Sequence, residues 1–453
     1  MTTTSGHDAN AQQNQRAESL ATRRTEGSIA KGAAKQQPGP AVSWKRNLAV
    51  MWLAQVVCVI GFSFVFPFTP LFVQELGIKD PARAAFWAGL SGSAMGLTMF
   101  LSGPIWGVLA DRFGRKRNVV RAMFGGAILV ALTGLSGNVY QLTALRLVTG
   151  IASGVFAPAM ALVASTSPKE KIALNVGALQ SAMFVGSTVG PLMGGFLAEA
   201  VGYRGAFYAA GVVIGLAGLL VLVFARENFQ RPLDAGPVFR IQVFTDIWSL
   251  VTSRELAPLL AMMFVVQVSP NLMSTVLPVL LDTFAPGSGA TATGVAFGIL
   301  GVAGAAGAYG AGRLNGRFRL NRIMTVACVG AGACYLPFMF VDSIPLLYLF
   351  LAVGGVFQGT LISSASGLVG LAMPVEKQGT GFGALQSVSA AAFGFGPLAG
   401  GTIATMTGLR SVFLVQAAGL FVAAALVVML LRNRARVAEP ALAGGAAESV
   451  TRN

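Results

Sequence analysis

Long apolar runs alternate with short polar breaks from Asn47 almost to the C-terminus. A helix needs about 20 apolar residues to cross the hydrocarbon core of a bilayer. Twelve such runs are predicted, at 48–72, 86–110, 122–137, 140–164, 174–199, 205–225, 256–281, 291–312, 323–341, 345–371, 380–404 and 410–431. The pattern is that of an all-α integral membrane protein with twelve transmembrane helices in two six-helix halves. The longest break, 226–255, is rich in charge and reads as a linker between a half at 47–225 and a half at 256–431. Residues 1–46 are polar and poor in large apolar side chains, and read as a disordered tail. Residues 432–453 read as a second tail. No apolar h-region opens the chain, so span one reads as an uncleaved insertion signal.

Composition agrees with this pattern. Hydrophobic residues make up 54% of the 453 positions and charged ones 11%, against about 25% charged in soluble domains. The formal net charge of +15 raises the question of nucleic acid, and its placement answers it. With the N-terminus inside, only Lys79, Arg83, Arg204 and Arg410 fall on the outer side, and Arg146 lies inside a span. The other Lys and Arg residues lie in the tails and the inner loops, as the positive-inside rule requires. The surplus charge is therefore topological, and both termini are expected in the cytoplasm, with no nucleic-acid partner. The single histidine, His7, lies in the tail, and Cys58, Cys328 and Cys334 lack metal or disulfide spacing. No metal, no cofactor and no catalytic residues are expected, and no GxxxxGK[ST] loop provides an ATP site.

The halves are related by an internal repeat. From Gly177 to Phe207, 14 of 31 positions recur 206 residues later, including Gly190-Pro191-Leu192 as Gly396-Pro397-Leu398 and Gly194-Gly195 as Gly400-Gly401. Gly107, Leu109, Arg112, Phe113 and Arg117 recur at an offset of 205 as Gly312, Leu314, Arg317, Phe318 and Arg322. A parallel duplication of six spans suits a central path and a rocking exchange between two open states.

Three motifs carry a resemblance. Gly107-Val-Leu-Ala-Asp111-Arg112-Phe-Gly114-Arg115-Lys116 joins spans two and three. Leu142-x-x-x-Arg146-x-x-x-Gly150 lies in span four, and Gly186-x-x-x-Gly190-Pro191-x-x-Gly194-Gly195 in span five. All three resemble signatures of the major facilitator superfamily, over about residues 44–432. The third looks like the antiporter motif of its drug-exporting branches. Trp44-Lys45-Arg46-Asn47-Leu48 and Pro67-Phe68-Thr69-Pro70-Leu71 are similar to the bacterial G-type multidrug resistance transporters. The resemblance implies the major facilitator fold, a bacterial inner membrane, a monomer, a small-molecule substrate and protons as the coupling ion.

Each motif also has a plainer reading. Gly107 and Gly114 suit close helix contact and a tight turn. The resemblance implies that Asp111, with Arg112 and Arg115 beside it, latches to the other half; topological charge alone is the alternative. Its counterpart in the repeat is Gly316, so a C-terminal latch lacks the acid. Arg146 is the one basic residue in the interior of a span, Arg410 standing at the very start of the twelfth. A buried charge there must be paired or face water, and the resemblance implies a coupling role. Snorkelling from the outer end is the alternative. Gly186, Gly190, Gly194 and Gly195 read as packing, with Pro191 kinking the helix; the resemblance adds control of leak. Gly294, Gly298, Gly301, Gly304, Gly307 and Gly310 form a further packing stripe.

None of the 17 acids is predicted at mid-membrane. Glu75 and Asp282 end spans one and seven at near-equivalent repeat positions, and are candidates for proton coupling with Arg146; carboxylates at the membrane interface are the alternative. A cationic substrate gains no buried counter-ion, so neutral, zwitterionic and anionic compounds stand level with it. By resemblance the cavity is lined from spans one, four, five, seven, eight, ten and eleven. Candidate substrate-binding residues are Gln55, Phe62, Phe66, Gln180, Phe184, Gln267, Asn271, Met273, Gln358, Gln386 and Phe393, each with packing as the alternative. Amides orient a ligand, while aromatics and Met adapt to its shape. The expectation is an exporter of small amphiphilic compounds or drugs working by alternating access. A metabolite importer or facilitator is the rival within transport; a receptor and an intramembrane enzyme are the rivals outside it.

Overall fold

The computed structural model describes residues 43–168, 171–228, 257–314, 318, 320–372 and 378–429, without the side chains of Pro104, Ala173, Asn321, 257–259 and 366–386. The predicted tail 1–46 lies almost wholly outside these residues, as do most of the linker 226–255 and all of the tail 432–453.

All regular structure among the described residues is helical. The elements are α1 (Trp44–Val65), α2 (Thr69–Glu75), α3 (Pro81–Phe113), α4 (Arg115–Thr133), α5 (Val139–Ala152), α6 (Phe156–Thr166), α7 (Ile172–Phe224), α8 (Ala257–Ser274), α9 (Leu277–Phe284), α10 (Gly289–Leu314), α11 (Leu320–Tyr335), α12 (Ile344–Ala372), α13 (Gln378–Thr407) and α14 (Ser411–Met429). Among the described residues ten segments are long and apolar enough to cross a membrane. One of them, Leu174–Phe224, covers 51 residues and changes direction at Gly202 (φ 75°, ψ 167°), which makes two crossings. The charged start of α4 keeps that helix outside the ten, although its 19 residues are enough to cross. The described helices thus accommodate the twelve crossings, with α1–α2, α5–α6 and α8–α9 each forming one broken span. Helices suit this setting because their backbone hydrogen bonds are satisfied internally.

Local chemistry sets the boundaries. The Asp80 carboxylate accepts the Arg83 N–H at 2.7 Å and Pro81 follows it, so α3 starts there. Asn138 accepts the Gln141 N–H at 3.0 Å, and Gln141 accepts the Gly137 N–H at 2.8 Å, a reciprocal cap at the start of α5. Gly202 and its repeat partner Gly408 (φ 99°) both turn the chain in a conformation that L side chains avoid. The one non-helical residue inside α7 is Gly202, which falls in the break predicted between spans five and six, and Pro191 lies within the helical stretch before it.

Each half has its own core. Phe72, Met123, Leu142, Leu162, Leu179, Phe207 and Ile214 are buried in the first. Met273, Leu277, Tyr335, Phe338, Leu351 and Phe413 are buried in the second. Each core also takes in one small residue of the other half, Ala290 in the first and Ala85 in the second. These two alanines are 205 positions apart, the repeat offset. Large apolar side chains such as Leu135, Tyr140, Val302 and Phe340 are exposed.

Candidate functional site, the seam between the halves

The end of the bundle with Trp44 and the Gly114 turn is termed basal; the end with the Gly202 and Gly408 turns is apical. The halves meet along two strips, α7 against α10 and α3 against α13. Both strips are built from small residues standing against backbone. A Cβ added at Gly195 would lie 2.7 Å from the Ala290 carbonyl oxygen, and one at Gly294 would lie 2.6 Å from that of Pro191. On the other strip a Cβ at Gly401 would lie 2.6 Å from the Ala85 oxygen, and one at Gly89 would collide with the Pro397 carbonyl. The strips are repeat equivalents, residue for residue. Ser93 Oγ accepts the Leu398 N–H at 3.0 Å, and Glu199 accepts the Thr291 N–H at 3.1 Å.

The glycine–proline motif therefore faces two ways. Gly186, Gly190 and Gly194 pack on Val59, Ser63 and Phe64 of α1, inside their own half. Pro191 and Gly195 face the other half. The second copy repeats this: Gly396 and Gly400 pack on Asn271 and Leu272 of α8, while Pro397 and Gly401 face α3. Of the glycine stripe on α10, Gly294, Gly298 and Gly301 meet α7, and Gly304 and Gly307 meet α12.

The strips run down to Gly96–Gly394 and Thr188–Gly301. Further toward the basal end the packing loosens among the described residues. Gly103, Gly107, Gly177, Gly310 and Gly312 have no neighbour within 4 Å of an added Cβ. Among the described residues Gly107 lacks the close helix contact expected of it. Leu101 and Leu174 are exposed. Among the described residues the close contacts of the seam lie at its apical end and stop at Gly96–Gly394 and Thr188–Gly301.

Arg146 stands inside the closely packed part. It sits on α5 seven residues after Val139, about 10 Å along the axis, and is only 3% exposed. Burial this deep does not fit snorkelling, since the head of a snorkelling arginine reaches water. Its Nη2 donates to Thr69 Oγ1 at 3.2 Å, its Nη1 lies 3.8 Å from Met95 Sδ, and its guanidinium is 5.7 Å from the Phe207 ring centroid. It lines a small cavity that Phe66, Ser91 and Gly92 approach from one half and Ser274, Thr275 and Pro397 from the other. Phe66 stacks on Phe393 across the seam, with ring centroids 5.1 Å apart. Phe393 packs at Gly96, one turn basal of Gly92, so the stack bounds the cavity on its basal side.

The span 2–3 turn is held from within its own half. Gly114 has φ 104°, which accounts for that glycine. Asp111, which the resemblance expects to latch across, pairs here with Arg115 at 3.2 Å and is 66% exposed at its side chain. Arg115 Nη1 also donates to the Ala161 carbonyl at 3.2 Å. Arg112 lies at the last turn of α3, 5.8 Å from the Phe113 ring centroid. Glu227, which the sequence reading left in the linker, takes a specific role. Its two carboxylate oxygens accept the N–H groups of Arg115 and Lys116, each at 2.9 Å, at the N-terminus of α4. A carboxylate there is favoured both by the free amides and by the helix dipole. Asn47 exchanges two hydrogen bonds with the backbone of Arg226, at 2.6 and 2.9 Å. Residues 225–228 are thus tied to the N-terminal half. The contact partners lie more than a hundred residues apart, so no local pattern announced them.

At the apical end Glu75 pairs with Arg204 at 3.2 Å, and Arg410 pairs with Asp342. Arg204 and Arg410 are repeat equivalents, and each also donates to a carbonyl, Gly134 at 2.8 Å and Met339 at 3.0 Å. Glu75 and Asp282 do not share one environment: Asp282 accepts the backbone N–H of Gly287 and packs on Gly289.

The candidate binding residues scatter. Phe66 and Phe393 meet at the seam. Gln55 and Gln358 are buried, each with a side-chain oxygen that finds no partner. Gln55 Nε2 reaches Met183 Sδ at 3.5 Å, and Gln358 Nε2 reaches the Val266 carbonyl at 3.4 Å. Gln267 donates to Ser389 Oγ at 2.6 Å, and Asn271 to the Gln267 carbonyl. Phe62 packs over Gly126 of α4, and Met273 is buried in the second core. Gln180 is half-buried and Phe184 exposed on α7. The side chain of Gln386 lies outside the described residues.

Two repeated six-helix halves meeting at a pseudosymmetric seam define a membrane transporter fold of the two-half type. The sequence profile described as Major Facilitator Superfamily matches residues 51–344 and 336–452, and the chain belongs to that superfamily. It is 31% identical over 402 residues to a protein named multidrug resistance protein MdtG from Enterobacter lignolyticus, covering 88% of this chain and 96% of that one. The Salmonella arizonae protein of the same name is 31% identical over 378 residues, covering 83% and 93%. Among solved structures, an inward-facing bacterial homolog of the human lysosomal transporter Spinster has a TM-score of 0.70 at 15% identity, covering 86% of this chain and 97% of that one. The nucleoside transporter NupG has a TM-score of 0.65 at 15% identity, with 86% and 100% covered.

Proposed function

We propose that this protein exports small amphiphilic compounds or drugs across the bacterial cytoplasmic membrane by alternating access, in exchange for protons. The observation that carries the reading is the seam: sealed apically by two equivalent strips and loosened basally, on a chain 31% identical to multidrug resistance proteins. With the basic loops and both termini in the cytoplasm, the open end faces inward and receives substrate there. Tilting the halves about the strips would close the basal end and expose the Arg146 region to the outside. In that closed state Gly107, Asp111, Arg112 and Gly114 supply the basal latch, which Arg115 releases by pairing with Asp111. The protein works as a monomer, with residues 226–255 as the cytoplasmic linker, and Gln55, Phe66, Gln358 and Phe393 are the leading substrate contacts.

The test is expression in a strain stripped of efflux pumps, followed by drug susceptibility and dye retention with and without an uncoupler. Raised resistance and uncoupler-sensitive dye loss are expected. Unchanged susceptibility across a broad panel sinks drug export. Proton entry is assigned to Glu75 and Asp282 with Arg146. If Glu75→Gln and Asp282→Asn both leave uncoupler-sensitive export intact, the coupling route lies elsewhere.

A further inference from the structure

Arg146 is the one charged side chain in the buried class among the described residues. A guanidinium stays protonated in proteins, and a buried cation is tolerated only when something supplies the opposite charge or polar contacts that stand in for it. The described acids are all engaged elsewhere. Glu75, Asp111 and Asp342 pair with Arg204, Arg115 and Arg410. Asp80, Glu199, Glu227 and Asp282 accept backbone N–H groups at helix starts or turns. Arg146 has a threonine oxygen, a thioether sulfur and a ring face. These partners are polarisable or polar, and none is an anion. Two of the five guanidinium donors are directed at Thr69 and Met95, and the group borders a cavity shared by the two halves.

We infer that the Arg146 cavity is a binding site for a single acidic group, a carboxylate or a small inorganic anion, lodged between the halves. Its charge completes what the chain leaves open. The cavity has room for no more than about one water, so an acidic group enters only as the Phe66–Phe393 stack parts, and the occupant is then a halide or the oxygens of a carboxylate whose carrier lies where the stack stood. The hydroxyls of Ser91 and Ser274 already donate to the Ala88 and Asn271 carbonyls, which leaves Arg146 as the group that recognises charge. The site is independent of the direction of transport and of the proposed drug export.

Thermal unfolding of the purified full-length protein in lipid nanodiscs tests it, with sulfate as the background anion at constant ionic strength. Sodium chloride, sodium benzoate and neutral benzamide are the probes. A saturable rise in Tm with chloride and benzoate, and none with benzamide, is expected for a small-anion site. A rise with benzoate alone assigns the site to the acid group of an organic ligand. No saturable response to either salt overturns the inference. Arg146→Gln should weaken the apparent affinity by about tenfold or more. Should that variant fail to fold, Ser274→Asp gives a second reading by placing a carboxylate in the cavity from the other half. It should unfold at a higher temperature than the parent without anion, and should no longer respond to either salt. A wild-type response in either variant overturns the assignment.

Discussion

Gly195 and Gly401 offer the sharpest test of the seam. A Cβ at Gly195 would stand 2.7 Å from the Ala290 oxygen and 3.2 Å from the Thr291 Cα. At Gly401 it would stand 2.6 Å from both the Ala85 oxygen and the Phe86 Cα. These neighbours are backbone and have no rotamer to move into, so relief comes from separating the strips. Overpacking a well-packed contact costs about 1–3 kcal/mol. That energy is borne only by the apically sealed state, so it shifts the balance toward the apically open state by about 5- to 150-fold. The readout is a cysteine at Ser91, which is fully buried in the cavity wall, in a chain whose three native cysteines are replaced by alanine. Alkylation of Ser91→Cys by a membrane-impermeant reagent from the apical side should accelerate by that factor with Gly195→Ala. Because the strips are equivalent, Gly401→Ala should accelerate it similarly. Gly177→Ala, where an added Cβ meets nothing within 4 Å, should leave the rate unchanged. Wild-type labelling rates in both seam variants would refute the argument that these glycines hold the seal.

Further outcomes follow from the basal and apical contacts. Glu227→Ala removes a two-pronged helix cap and should cost about 1–2 kcal/mol; hydrogen exchange at the Arg115 and Lys116 amides should speed up about 5- to 30-fold. Asn47→Ala breaks two hydrogen bonds to the Arg226 backbone and should lower the Tm, at about 1 kcal/mol per bond, with released proteolytic cutting after Phe224 as the visible sign. Glu75→Gln removes a half-exposed ion pair and should shift stability by less than about 1 kcal/mol. Arg204→Ala should cost more, because it also removes the bond to the Gly134 carbonyl; equal Tm shifts for the two would contradict that ranking.

The span positions were legible because crossing a bilayer imposes length and apolarity on every helix alike. The repeat was legible because its motifs survive as identical residues. Helical spacing even held the two-faced use of the glycine–proline motif: Gly186, Gly190 and Gly194 fall on one face at four-residue intervals, and Pro191 and Gly195 on the next. What the sequence concealed depends on contacts between distant segments. Glu227 looks like any charge in a polar break until the chain brings it to Gly114. The turn between spans five and six was legible as a short break, but not that Gly202 takes the positive φ there while the helix assignment runs on unbroken to either side of it. The interruption between α5 and α6 lay in plain view as Ser153-Gly154; Gly154 has φ 120° there. Trp106 and Arg121 satisfy the freed carbonyls of Ile151 and Ala152 at 2.6 and 3.1 Å, and no local rule names those two donors in advance.

The seal between the halves is made largely by peptide groups lying against glycine. Contacts of that kind carry no chemical preference for what passes through the molecule. Side chains elsewhere on the cavity wall are therefore free to drift toward new compounds without loosening the barrier. Drift in the strips themselves has almost no tolerated direction, since any larger side chain meets backbone. On the proposed mechanism, holding the membrane tight and choosing a cargo fall to different atoms of the same helices, and a protein divided in this way can broaden its range of substrates without opening a leak.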